Sequence, residues 1–513
     1  VLKQFILVSK YITTCFFVRF ELFRSVFRFT RYFFDMSKLK NIIKQLSVKD
    51  FHSIYDSLME SNAEKSAHLL KHLREKLLSD SKIMEALEVN TNAYYTLRSR
   101  LNQKIEEYLL LQMESPRTSL LKKVANINEV IFTKKKAIAI ATLKKLEKEL
   151  IDYDLANELT IVYKTLKKLH INSSDAFSYS QLYNRHVAYM LALDKSEDLV
   201  AQYFQKYGNY LLTNDETEKY GLYMLKKEVE NVSNLYQSHR LFIYESCLSI
   251  FHRLFVEQDK AEEDELPLEE IFEKVQEAFD QYYLDSTYFH LKLVFEYLKF
   301  EYYSINSIYR KAEKFFEEVD EASVELLTNY NLYTFPAKFL LTKIERYLRI
   351  GTENLLYEEN KILFDEYEVD IEDVPQFVIY TMYRALGCYY ADKYDEAARI
   401  VNNLLNVLSL KKHPFAQMEV KLFLALQYCL LKDYDLFNQL INSIQRQVRI
   451  LGKEHCTHIL LYTKIMKSSL NDVKKSKSTK IQGNINKLRN VLPKHFSPLN
   501  YIKLDDEFIS RLS

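Results

Sequence analysis

Six glycines in 513 residues constrain this chain more than any other feature of its sequence. Tight turns and hairpins draw on glycine because a residue without a Cβ enters the φ > 0 region at no steric cost. A chain so poor in glycine cannot contain many β-turns, whereas helices joined by short polar links need few. An all-α fold is therefore predicted along the whole length. The chain is 48% hydrophobic and 27% charged, which leaves ample apolar surface for a core.

Helical periodicity runs from Met36 onward. Its spacing predicts helices over 47–58, with Ser47 as N-cap, over 62–79 and over 91–113. Pro116 marks the next break, since proline inside a helix loses a hydrogen bond and clashes. Further breaks are expected at 194–196, 213–215, 262–267, 351–352, 372–375, 413–414 and 452–453. The intervals between them are the size of single helices.

An internal repeat gives the architecture. Ala385, Leu386, Tyr394, Asp395 and Asn402 recur 40 residues later as Ala425, Leu426, Tyr434, Asp435 and Asn442. Apolar Val401 and Leu404 are matched by Ile441 and Ile444. A fixed period of this size marks an array of helix pairs. The pattern resembles tetratricopeptide repeats. Ala385 stands at that family's small residue of the first helix, Tyr394 at the aromatic of the turn, and Ala397 at the small residue opening the second helix. Ala425, Tyr434 and Phe437 are the corresponding positions of the next copy, with Phe437 departing from the small residue. Tyr309 and Ala312 form a looser copy upstream. Residues 42–169 also resemble a group of uncharacterised bacterial helical-repeat proteins.

The resemblance implies an α-solenoid of roughly ten antiparallel helix pairs, degenerate and lengthened, each packed mainly on its sequence neighbours. Five regions are expected: an extension over 1–35, an N-terminal helical region over 36–115, degenerate repeats over 116–371, clearer repeats over 372–492, and a tail over 493–513. The extension is basic and crowded with phenylalanine. Phe16, Phe20, Phe23 and Phe27 share one helical face and Arg24, Arg28 and Arg31 another, as in a helix lying on a membrane surface. Met36-Ser37-Lys38 reads as an ordinary start, so 1–35 is also read as sequence foreign to the natural protein, or as a packed first helix. No stretch approaches ~18 uninterrupted apolar residues, so no transmembrane span is expected.

The function classes left open are few. The six glycines are never closer than 13 positions apart, which excludes G-x-x-x-x-G-K-[ST], G-x-G-x-x-G and G-x-S-x-G sites. No catalytic, cofactor-binding or metal site is expected, and the scattered cysteines suit reduced thiols in a cytoplasmic protein. Two sets have the residue types of a metal site: Glu64, His68 and His72 share one helical face that equally suits solvated surface, and His455, Cys456 and His458 lie within four residues but follow Gly452 at a helix start and lack a fourth partner. A protein-interaction scaffold binding a protein or peptide is the leading expectation.

The alternative is a DNA-binding regulator. Over 83–101, Leu87, Val89, Tyr94, Leu97 and Leu101 match the apolar positions of a helix-turn-helix, with Arg98, Arg100 and Lys104 on or near a recognition helix. Met84 and Glu88 depart from the small residue and the turn glycine usual there. Total charge is neutral, 71 Lys and Arg against 70 Asp and Glu, but it is uneven. Residues 117–149 hold nine basic against three acidic side chains, 257–273 nine acidic against one basic, and 473–504 eight basic and none acidic. Each run suits solvated surface, or a salt-sensitive contact with an oppositely charged partner.

Overall fold

The computed structural model describes Leu39, Ile43, Leu46 and residues 48–512, except 62, 76–79, 113–115, 237, 258–265, 283–285, 470–473, 492 and 494. The extension over 1–35 and the Ser47 cap therefore lie outside the described residues. All regular structure among the described residues is helical, with no strand. No described helix is long and apolar enough to cross a membrane. The chain divides into two compact units, one up to Ser119 and one from Leu120.

Unit 1 holds α1 (Val48–Glu60), α2 (Glu64–Glu75), α3 (Asp80–Ala86) and α4 (Thr91–Gln112). Both α1 and α2 pack on α4. Their apolar stripes meet in a small core that includes Ile54, Leu58, Leu70, Ile83, Tyr94 and Leu101.

After α5 (Pro116–Ala125), unit 2 continues with α6 (Ile127–Thr133), α7 (Lys136–Asp152), α8 (Ala156–Leu169), α9 (Asp175–Thr213), α10 (Glu216–Leu235), α11 (His239–His252) and α12 (Leu268–Gln281). Next come α13 (Ser286–Ile305), α14 (Tyr309–Glu321), α15 (Ser323–Asn329), α16 (Ala337–Ile350), α17 (Leu356–Glu359) and α18 (Lys361–Glu366). The last are α19 (Val374–Tyr390), α20 (Tyr394–Val407), α21 (Pro414–Leu430), α22 (Tyr434–Leu451), α23 (Thr457–Ser469), α24 (Lys474–Leu488) and α25 (Asp506–Leu512). Consecutive helices pack in pairs, as in α7–α8, α13–α14, α19–α20, α21–α22 and α23–α24.

One turn recurs between such pairs. Asp154, Ser307, Asp392 and Lys432 each take a left-handed conformation, with φ between 50° and 60°. In each, the amide of that residue donates to the carbonyl three back, and the next amide donates to the carbonyl five back, as Lys393 N does to Cys388 O at 2.9 Å. The residue after the left-handed one then accepts the first hydrogen bond of the new helix: Leu155 from Leu159, Ile308 from Ala312, Lys393 from Ala397, Asp433 from Phe437. Orphan carbonyls of one helix are thereby satisfied, and the regular hydrogen bonding of the next begins directly after the turn. Glycine would be the easy choice at φ > 0, and its absence costs roughly 1–2 kcal/mol per turn. The scarcity of glycine thus reflects turns built without it.

Two features depart from a simple chain of neighbours. Expected breaks held at Asn214, Gly351, Pro375, Pro414 and Gly452, but 194–196 lies inside the 39-residue α9. There the polar run serves the helix surface: Ser196 is buried and donates back to Ala192 O at 2.9 Å, and Lys195 pairs with Glu228 on α10. The C-terminal half of α9 also packs on α19 and α21, far along the chain. A Cβ on Gly208 would stand 2.8 Å from Pro375 and 3.0 Å from Phe335, so the approach requires glycine. Residues 495–512, within the stretch expected as a tail over 493–513, join this core: Phe496, Leu499, Ile502 and Phe508 are buried, and Phe496 N donates to Leu211 O at 2.8 Å.

Candidate functional site

A cleft of about 970 Å³ opens in unit 2 beside the close approach of α9 to α19. Its walls come from α9, the start of α10, the segment before α16, the start of α19, and Lys412-His413. Five carboxylates line it, Asp198, Asp215, Glu218, Glu372 and Asp373, against one lysine, Lys412. Three of them also have structural work. Asp215 caps α10 by accepting from Thr217 N at 3.0 Å, and Asp373 caps α19 by accepting from Gln376 N at 3.2 Å. Glu218 pairs with Lys206 at 2.7 Å. Asp198 and Glu372 are exposed. Burial raises the Asp373 carboxyl above its ordinary range and lowers His413, so neither adds a full charge as cheaply as a surface group.

In the repeat, Ala385, Ala397, Ala425 and Phe437 are all fully buried. Tyr394 is half-buried beside the turn and donates to Asp392 Oδ1, while Tyr434 is exposed. Ala385, Ala425 and Phe437 belong to the main core of unit 2, and none of the six repeat residues lines the cleft.

The 83–101 segment folds as two helices about a short turn. Glu88, at φ 51°, takes the left-handed conformation for which glycine is usual. Its amide donates to Glu85 O and Val89 N to Met84 O, the hydrogen bonds of the hairpin turns, but the next helix opens one residue later, with Tyr94 N donating to Asn90 O. Asn90 Oδ1 caps α4 by accepting from Ala93 N at 2.9 Å. Arg98 is 6% exposed and lies over the Tyr94 ring, 5.9 Å from its centroid, so it belongs to the unit's interior. Arg100 and Lys104 are exposed, the latter paired with Glu107 at 3.1 Å. With Tyr95, Thr96, Ser99 and Gln103 they form a polar outer face of α4. In the basic C-terminal run, Lys480 and Lys487 line a shallow groove of about 510 Å³ with Lys464 and Lys467.

Neither Glu64, His68 and His72 nor His455, Cys456 and His458 brings its ligand atoms together among the described residues. His68 is exposed, and His455 is exposed while Cys456 is buried. The group of three that does converge among the described residues is Glu419, His458 and His495, whose ligand atoms lie within 4.8 Å of one another. It joins α21, α23 and the C-terminal segment. His458 Nε2 bonds Glu419 Oε1, His495 Nε2 meets the same oxygen at 3.2 Å, and Ser497 Oγ donates to Oε2 at 2.5 Å. Burial pushes this carboxyl up, but the two imidazole hydrogen bonds outweigh that and hold it at about 2. A sequence signal existed: α21 is apolar nearly all round, so a glutamate within it must find partners.

A second buried glutamate lies on α13. Glu301 accepts from Thr342 Oγ1 at 2.8 Å, while its Oε1 has no partner among the described residues. Burial raises its carboxyl to about 8, only partly offset by Lys338 and the Thr342 hydroxyl.

Comparison with protein-family models, curated proteins and solved structures finds no match to this chain.

Proposed function

We propose that the chain is an interaction scaffold of tetratricopeptide-like helical hairpins, whose cleft in unit 2 takes a basic peptide segment of a partner protein. The observation that carries this reading is the five-to-one excess of carboxylates over lysine around the 970 Å³ cleft. Charge of one sign in a concave site concentrates ligands of the other and sets their selectivity. Helical-repeat arrays commonly use such surfaces for extended peptides.

The test uses labelled peptides rich in Lys and Arg, matched peptides rich in Asp and Glu, and the full chain. Basic peptides are expected to bind more tightly, with affinity falling as salt rises. Asp198→Lys with Glu372→Lys, two exposed positions that cap no helix, is expected to weaken binding about tenfold or more, the effect of losing ~1.4 kcal/mol. Equal binding of both peptide classes, or no effect of the charge reversal, would overturn the reading.

The DNA-binding alternative retains one supporting observation, the left-handed turn at Glu88 before a helix with a polar outer face. Burial of Arg98 weighs against it, leaving Arg100 and Lys104 as the basic groups exposed there. The scaffold reading expects selection among genomic fragments to return no consensus. Recovery of a defined site, lost in Arg100→Ala, would favour the regulator instead.

A further inference from the structure

Glu419, His458 and His495 lie 39 and 76 residues apart along the chain, yet direct three ligand atoms at one buried point. Glu419 has no solvent exposure, and the His458 and His495 side chains are 4% and 10% exposed. Both imidazoles turn Nε2 toward the same carboxylate oxygen. Their rings lie 5.5 Å apart at 61°, and Phe415 packs beside the His495 ring at 5.2 Å.

We propose that these three residues form a binding site for a zinc-class divalent cation. Two imidazole nitrogens and a carboxylate oxygen are the donor types that such ions take, and zinc has no geometric preference of its own to oppose the arrangement. Each histidine would give Nε2 as a neutral ligand with its one ring proton on Nδ1, the proton leaving Nε2 going to Nδ1 or, where Nδ1 already carries one, to solvent. The cation would balance the buried carboxylate where it stands. Ser497 holds the second oxygen, Oε2, and so aims Oε1 at the ion, as outer hydrogen bonds do for metal-bound carboxylates. The ligands come from α21, α23 and the C-terminal segment, so bound metal clamps that segment onto the hairpins. This role is structural and independent of what the cleft binds.

The alternative is a hydrogen-bonded cluster that needs no ion, and the two differ in a measurable way. Full-length protein is stripped with chelator, dialysed, exposed to Zn²⁺ and analysed for metal. One equivalent per chain is expected, with a melting temperature that climbs with free Zn²⁺. Co²⁺ substituted at the site is expected to give a visible absorption band that Zn²⁺ displaces. His495→Gln keeps an amide donor for Glu419 but removes the imidazole ligand, and should lower affinity at least tenfold while the chain stays folded. Ser497→Ala should weaken binding by about 10-fold. His455→Ala, at an exposed neighbouring position, should bind as the parent does. Uptake below a tenth of an equivalent by the parent chain would overturn the proposal. So would unchanged uptake in His495→Gln, which places the ion elsewhere.

Discussion

Glu301 on α13 and Glu419 on α21 are both fully buried in the same unit, yet their carboxyls titrate at opposite ends of the range, at about 8 and about 2. Burial pushes both upward, so desolvation alone cannot separate them. Donors separate them. Glu301 has a single hydroxyl on one oxygen and lies near Tyr207, Tyr297 and Tyr501, whose phenols are raised chiefly by burial, with the Glu301 carboxylate adding to it. Glu419 has two imidazoles on one oxygen and a serine hydroxyl on the other. A carboxylate inside a helical core is thus tolerated in either of two forms: neutral with a poor set of partners, or ionised with a full one.

Removing Glu419 tests that contrast most severely. Glu419→Ala leaves two imidazoles and a hydroxyl in the core without their acceptor, and is expected to cost about 3–5 kcal/mol. Urea denaturation at pH 7 measures it, and a loss under about 1 kcal/mol would show that the cluster holds little together.

Glu301→Gln should act in the other direction. The folded carboxyl titrates near 8, against an ordinary value of 4.5, so the folded state favours the protonated form. The associated stability is complete below about 4.5 and is lost as pH rises through 8. Glutamine cannot ionise and escapes that loss. The variant should differ little from the parent at about pH 4 and exceed it by roughly 3–5 kcal/mol at pH 9. Parallel stability curves from pH 5 to 9 would mean that Glu301 ionises without penalty.

Single donors sharpen the comparison at a smaller scale. Thr342→Val and Ser497→Ala each remove one hydroxyl and should each cost about 1 kcal/mol. Thr342→Val should also raise the Glu301 transition further, seen as a shifted pH dependence in the same denaturation series. No shift would mean that the Thr342 hydrogen bond does not favour the ionised form.

Much of the fold was legible because local chemistry wrote it. Gly351, Gly452, Pro375 and Pro414 stand where helices end or begin, and the shared residues at 394 and 434 start equivalent helices. The run at 194–196 misled because charged residues suit an exposed helix face as well as a loop. Arg98 misled because helical spacing gives a face but not which face the core covers. The apolar run around Glu419 signals a buried carboxylate, but which partners it finds was not legible, for a different reason. His458 groups in sequence with His455 and Cys456, whereas its partners are 39 residues away on α21 and across the C-terminal segment. No local periodicity encodes that meeting.

The remote closure also sets an order of events during synthesis. The hairpin turns join residues close in sequence, and such local elements form within microseconds. Glu419 leaves the ribosome 76 residues before His495, a delay of roughly 4–15 s at ordinary rates of translation. Leu211, whose carbonyl accepts from Phe496, waits longer still. For those seconds the chain has neither His495 nor Phe496 to offer, so the Glu419 carboxylate and the Leu211 carbonyl lack these partners. Arrival of the segment around His495 supplies them, and the core of unit 2 is complete only then.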